Sequence, residues 1–239
     1  MISRPFNFTL ALTIPIALMG LLLLVDPAPL DFALARLFYT PGEGFIGKHS
    51  FWLEDILHDR AKQAVILLGV LAITGFILSL LPTRLRSRRQ QLGYLVLALG
   101  LSTSIVSPLK TLTGVQCPWS LSEFGGHEVF TPLLGKRAPT AEPGRCWPGG
   151  HASAGFSLLA FFFALRDRNP RLAGAALVGA LALGTVFSVG RMMQGAHFLS
   201  HNLWTLLFDW VICLLCYRLI LYRPARECSE SRTYSLEGA

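Results

Sequence analysis

Long apolar runs alternate along this chain with short polar links. Six runs carry too few charges for a helix on the surface of a soluble domain: Phe8 to Val25, Ala64 to Leu81, Leu92 to Leu109, Ala152 to Leu165, Leu172 to Gly190 and Leu203 to Tyr222. A run of about 18 or more apolar residues, rising ~1.5 Å per residue, is long enough to cross the hydrocarbon core of a bilayer as a helix. The pattern therefore predicts an all-α integral membrane protein, a bundle of six transmembrane helices. The fourth run is short, so its start is expected below the lipid boundary. Together the runs use most of the chain, which leaves one membrane-embedded domain over residues 1–239 and no soluble module. The first run follows Arg4 as a signal peptide would, but its apolar stretch is long and Asp26, Pro27 and Pro29 offer no small-residue cleavage site. It is expected to be retained.

Composition sharpens this picture through the placement of charge. Of 239 residues 52% are hydrophobic and 15% charged, with a net charge of +7. Arg84, Arg86, Arg88 and Arg89 lie between runs two and three, and Arg166, Arg168 and Arg171 between runs four and five. Arg223, Arg226 and Arg232 follow run six. These are alternate links, hence one side of the membrane, and basic residues in short links stay cytoplasmic. Both termini are expected in the cytoplasm, with a polar, flexible tail over residues 223–239. The positive charge is thus a topology signal rather than a nucleic-acid footprint. Three segments then face outward: Asp26 to Gln63, Lys110 to His151 and Arg191 to Asn202. Within the first, "FWLEDILHDRAKQ" is amphipathic and suited to the membrane interface.

The outward segments hold the chemistry. His127, His151, His197 and His201, four of the six histidines, fall there or at their edges, and Lys110 and Arg191 open two of them. In "GRMMQGAHFLSH" His197 and His201 are four apart, which puts them on one face if the segment is helical. In "PGGH" the backbone of Gly149 and Gly150 precedes run four. Glycines admit close approach of backbone N–H groups, and a helix N-terminus favours an anion. Three chain segments can therefore offer donors to one tetrahedral anion.

The same residues carry a family resemblance. "KTLTGVQCP" (from Lys110), "PGGH" (Pro148 to His151) and "GRMMQGAHFLSH" (Gly190 to His201) resemble, in order and spacing, Lys-x6-Arg-Pro, Pro-Ser-Gly-His and Ser-Arg-x5-His-x3-Asp. Those are the motifs of the type 2 phosphatidic acid phosphatase superfamily, which also includes acid phosphatases and vanadium haloperoxidases. Cys117 stands in place of the first motif's arginine, Gly149 and Gly190 in place of serines, and His201 in place of the aspartate. The resemblance implies that His197 attacks phosphorus to form a phosphohistidine and that His151 protonates the leaving oxygen and then activates water. His201 takes the orienting position. Lys110, Arg191, Gly149 and Gly150 bind the phosphoryl oxygens, and no metal or cofactor is needed.

The implied protein is a lipid phosphatase of the bacterial inner membrane with its active site at the periplasmic end. Its partners are the bilayer and a lipid substrate: phosphatidic acid, phosphatidylglycerol phosphate, undecaprenyl diphosphate or a lipid A phosphate. The alternatives are a lipid phosphotransferase on the same scaffold and a non-catalytic membrane protein that binds phospholipids. A channel or transporter would need more facing polar residues than Asp209 within the spans. Cys117 and Cys146, both facing an oxidising compartment, are a candidate disulfide, and Arg145 beside it is the candidate replacement for the missing arginine. Asp209, Glu123 and Glu128 are candidates for the missing carboxylate. Lys136, Arg137 and His127 could meet a larger polyanionic headgroup.

Overall fold

A computed structural model of the protein describes residues 3–48, 50–53, 61–137, 140 and 142–224. The tail beyond residue 224 and residues 54–60 of the amphipathic stretch lie outside the described residues. The apolar runs form helices: α1 (Phe8–Leu24), α3 (Ala61–Leu80), α4 (Arg89–Ser104), α6 (Gly150–Phe156) with α7 (Leu159–Leu165), α8 (Pro170–Met193) and α9 (Leu199–Ile220). Shorter helix α2 (Ala28–Arg36) and a small antiparallel pair, β1 (Tyr39–Thr40) with β2 (Gly44–Phe45), lie between the first two runs, and α5 (Val106–Thr113) ends the third run and continues into the link after it. Two helix starts follow from asparagine caps. Asn7 accepts from the Leu10 N–H at 2.9 Å, and Asn169 accepts from the Leu172 N–H at 3.1 Å, just before Pro170 in the first turn of α8.

Helix α9 is the central post, packed against α1, α4, α6 and α7. Tyr94, Phe163, Leu214 and Tyr217 fill the core around it. The Tyr94 hydroxyl donates to the Cys213 carbonyl at 3.2 Å, so burial leaves that polar group satisfied. Helices α6 and α8 touch almost backbone to backbone. A Cβ on Gly155 would stand 2.5 Å from Gly184 Cα. Small residues at such a crossing let helices meet closely where lipid removes most of the hydrophobic drive for association. On the outer face, Leu67, Leu71 and Leu78 of α3 are exposed, as a lipid-facing surface requires.

The expected six spans are resolved only in part. Four helical stretches among the described residues are long and apolar enough to cross a membrane, or five if α1 and α2, bent by 85°, count as one. The stretch Gly150–Leu165 is shorter. Its first residue, Gly150, lies against Lys110.

The two ends of the bundle differ. At one end the Ser3 N–H donates to the Arg223 carbonyl at 2.8 Å and the Arg223 N–H donates to Ser3 Oγ at 2.9 Å, so the two ends of the described chain meet. Arg86, Arg89 and Arg168 gather around a cavity there. At the other end Phe32, Phe45, Phe124 and Phe198 knit α2, the β pair and the long loop after α5 into a second core. Arg36 pairs with Glu123 across its surface.

Candidate active site

Four elements bring the sequence-predicted residues to this second end. Lys110 projects from α5, which is separated from α4 by one residue, Ile105. His151 is the second residue of α6, and Arg191 sits in the last turn of α8. A turn then carries the chain back to α9. Gly195 makes the turn in the left-handed region, φ +69°, and a Cβ there would also overlap the Phe45 ring. His197 follows, 3% exposed, just before α9.

The His197 ring is held by the backbone. Its Nδ1 lies 2.8 Å from the Cys146 carbonyl oxygen. A carbonyl only accepts, so Nδ1 carries the proton and Nε2 keeps its lone pair. Burial holds the proton affinity of His197 well below the usual histidine range, and the charges of Lys110, His201, Arg191 and His151 lower it further. All four residues thus act on one buried, neutral imidazole. Lys110 lies against the start of α6, where a Cβ on Gly150 would stand 3.2 Å from Nζ. Lys110 and Arg191 also repel each other, a repulsion that an anion bound between them would relieve. Arg191 is oriented by a hydrogen bond from Nη1 to Gln194 Oε1 at 2.8 Å and by the Trp119 ring, 5.8 Å from its guanidinium carbon.

Other predicted residues do not take the places expected of them. The Gly149 N–H donates to the His201 carbonyl at 3.1 Å, so this donor is already taken and is not offered to a phosphoryl oxygen. His201 occupies the aspartate position but makes no hydrogen bond to His197. The ring centroids are 6.1 Å apart and edge-on, and His197 Nδ1 is already engaged by Cys146. Arg145 is exposed and has no hydrogen-bond or ion-pair partner among the described residues, so nothing ties it to the site. Glu123 is committed to Arg36, and Glu128 accepts from Thr140 at 2.7 Å. Asp209 accepts from Ser153 deeper in the bundle, at 3.5 Å. The Arg137 guanidinium donates to the carbonyls of Pro132, Leu133 and Gly135 and so braces its own loop. Cys117 and Cys146 form a disulfide with Cα atoms 5.1 Å apart, and Cys213 and Cys216 are buried free thiols.

Three contributors are absent from the sequence reading. One is the Cys146 carbonyl, which no residue type announces. A second is Asn202, whose side-chain oxygen fills the space that a Cβ on Gly149 would need, so that the glycine and the asparagine are fitted to each other. The third is Asp31, buried on α2, which accepts from both the N–H (2.9 Å) and the hydroxyl of Ser200 at the start of α9. An acid inside the otherwise apolar "PLDFAL" was the available signal for the last.

The site opens onto a cavity of about 510 Å³ between α3, α4, α5 and α6. Lys110, Gly150 and His151 form its polar rim, and Ile66, Val70, Leu99 and Val106 are among its apolar walls. Gly69 and Gly100 also line it, and a Cβ on either would meet no atom within 4 Å.

The sequence model of the PAP2 superfamily matches residues 91–225, a stretch holding every residue of this site except those of α2 and α3. A curated relative, the lipid A 4'-phosphatase of Francisella tularensis subsp. novicida (strain U112), is 27% identical over 202 residues, covering 79% of this chain and 87% of that protein. No solved structure matches the chain. With more than half of its residues inside the family match and the three motif segments converging on one buried imidazole, the chain belongs to the PAP2 superfamily.

Proposed function

We propose that this protein removes a phosphate from the headgroup of a membrane lipid through a phosphohistidine on His197. The observation that carries the reading is the sharing of Lys110, Gly150 and His151 between the cationic site and a large apolar cavity. A soluble phosphate ester has no use for such a cavity, whereas a lipid needs room for its chain directly beside its phosphate. The name of the Francisella relative favours a lipid A phosphate among the candidate substrates.

The chemistry follows from the residues. His197 Nε2 attacks phosphorus while Nδ1–H stays bonded to the Cys146 carbonyl. The P–O bond to the lipid breaks, and protonated His151 gives its proton to the departing oxygen. Water then attacks the phosphohistidine. His151, now neutral, takes a proton from that water, and the P–N bond breaks to return His197 and release phosphate. Lys110 and Arg191 neutralise the charge that builds on the phosphoryl oxygens. No step in this sequence calls for a metal or cofactor.

In this reading the whole of residues 1–239 is one membrane-embedded domain with six passes through the inner membrane. The arginine-rich end, where Ser3 and Arg223 meet, faces the cytoplasm and the phosphoryl site faces the periplasm.

The test is phosphate release by the purified protein in detergent from lipid A, phosphatidic acid, phosphatidylglycerol phosphate and undecaprenyl diphosphate. Activity is expected on at least one of these. It should fall roughly 10³-fold or more in His197→Ala, as expected when a nucleophile is removed. Binding of all four lipids with release from none would establish a non-catalytic protein instead. A new phosphorylated lipid on thin-layer plates, in place of free phosphate, would establish a transferase.

A further inference from the structure

The missing aspartate leaves a mechanical question: what keeps the His197 ring in one orientation and one tautomer? We propose that the Cys146 carbonyl, held in place by the Cys117–Cys146 disulfide, is the positioning group for the nucleophilic histidine. The proposal rests on the phosphatase reading for its kinetic consequences, though the geometry stands by itself.

Three observations lead to it. Cys146 is the acceptor on the ring: its carbonyl lies 2.8 Å from His197 Nδ1, a short bond in a buried setting. His201, at the aspartate position, does not hold the His197 ring: it stands edge-on at 6.1 Å, its Nδ1 has no hydrogen-bond partner among the described residues, and the Cys146 carbonyl acts on it as well. The carbonyl is also unusually well anchored. The Cys146 N–H donates to the Val115 carbonyl at 3.0 Å, and its side chain is bonded to Cys117. Cys117 is in turn tied to the His197 turn, because the Trp119 N–H donates to the Gly195 carbonyl at 2.9 Å. The disulfide therefore closes a ring of contacts: Gly195 to Trp119, Cys117 to Cys146, and Cys146 to His197. A loop carbonyl is otherwise free to rotate away from a histidine. A cross-link one side chain from that carbonyl removes the freedom.

The substitution changes the chemistry as well as the geometry. A carboxylate would stabilise a positive imidazole, while a carbonyl fixes the tautomer and brings no counter-charge. His197 accordingly stays neutral among its cationic neighbours, ready to attack through Nε2.

The experiment compares four full-length proteins in detergent: the wild type, His201→Asp, Cys117→Ala/Cys146→Ala, and the triple variant that adds His201→Asp to the cysteine pair. Each is measured by steady-state phosphate release and by the ring-nitrogen NMR signals of His197 in histidine-labelled protein. In the wild type His197 is expected as a single tautomer protonated at Nδ1. Removing the disulfide should let both tautomers appear and lower kcat on the order of 100-fold, the scale of a ~1 Å misplacement, with KM nearly unchanged. His201→Asp should restore a single tautomer, recover about 10-fold in kcat, and, through the new carboxylate's charge, move the acid limb of the rate profile upward in pH. The tautomer mixture in the disulfide-free protein is the readout that a merely structural role for the disulfide would not move.

An unchanged tautomer and kcat in the disulfide-free protein would overturn the proposal. So would a wild-type ring protonated at Nε2, a result that does not depend on any variant folding. If the wild type releases phosphate from no lipid, the functional reading fails, and the wild-type tautomer still decides the positioning role by itself.

Discussion

His197 is a buried base that must stay neutral to be useful, and this makes its ionisation a stability statement. Burial first, and then the surrounding cations, hold its proton affinity well below the ordinary value of 6.5. The unfolded chain has no such restraint and binds a proton at that site as the pH falls through about 6.5. The unfolded state then carries the extra proton, so folded-state stability must fall as the pH drops below about 6.5, by at most about 1.4 kcal/mol per pH unit for this one group. Thermal unfolding between pH 7.5 and 5 should show a shallower acid loss in His197→Asn than in the wild type. Equal slopes would mean that the ring is not held neutral. Gly149 supplies a second residue-scale prediction. Gly149→Ser restores the residue found in the family motif, yet here its Cβ meets Asn202. Thermal unfolding should register a loss of about 1–3 kcal/mol, the usual cost of overpacking. Part of it should return in Gly149→Ser/Asn202→Ala, giving a coupling of about 1 kcal/mol in a double-mutant cycle.

These residues also mark what a sequence can disclose. Lys110, His151, Arg191 and His197 announce themselves by side-chain chemistry and fixed spacing. The Cys146 carbonyl does not, because every residue has one and only the fold decides where it points. The Gly149–Asn202 fit is hidden for a related reason: the space around a glycine belongs to whichever distant residue occupies it.

At the scale of helices, the apolar cavity between α3, α4, α5 and α6 is where substrate choice should be set. Gly100 lines it, and a Cβ there would meet no atom within 4 Å, so Gly100→Leu is the variant to narrow the cavity. This variant should lose about 10-fold in kcat/KM on a long-chain lipid phosphate, the scale of ~1.4 kcal/mol of lost chain contacts, while activity on a soluble aryl phosphate is unchanged. An equal loss on both substrates would mean that the cavity is not the chain site. Gly155 answers for the scaffold: Gly155→Leu must push α6 off Gly184 and should abolish recovery of folded protein in size-exclusion chromatography, whereas Gly174→Leu, with open space beside it, should not. The helices themselves were legible from hydropathy, since each apolar run became helical. Their lengths as spans were less so. Hydropathy finds apolar residues, but the helical stretch Gly150–Leu165 is shorter than the other spans.

Across the whole molecule the account rests on polarity of the bundle. Cations without catalytic neighbours collect where Ser3 and Arg223 meet, and cations facing an imidazole collect at the opposite end. That division, half visible in the arginine spacing, is what the proposed reading takes as a topology anchor at one end and a phosphoryl site at the other. The most direct test of the central claim is to trap the covalent intermediate. Protein is mixed with a lipid substrate carrying a radiolabelled phosphate, quenched in alkali within a single turnover, and digested for mass spectrometry. The account predicts an acid-labile, base-stable phosphate on the peptide holding His197, absent from His197→Ala. Rapid phosphate release by His197→Ala, or a label on any other residue, would contradict it.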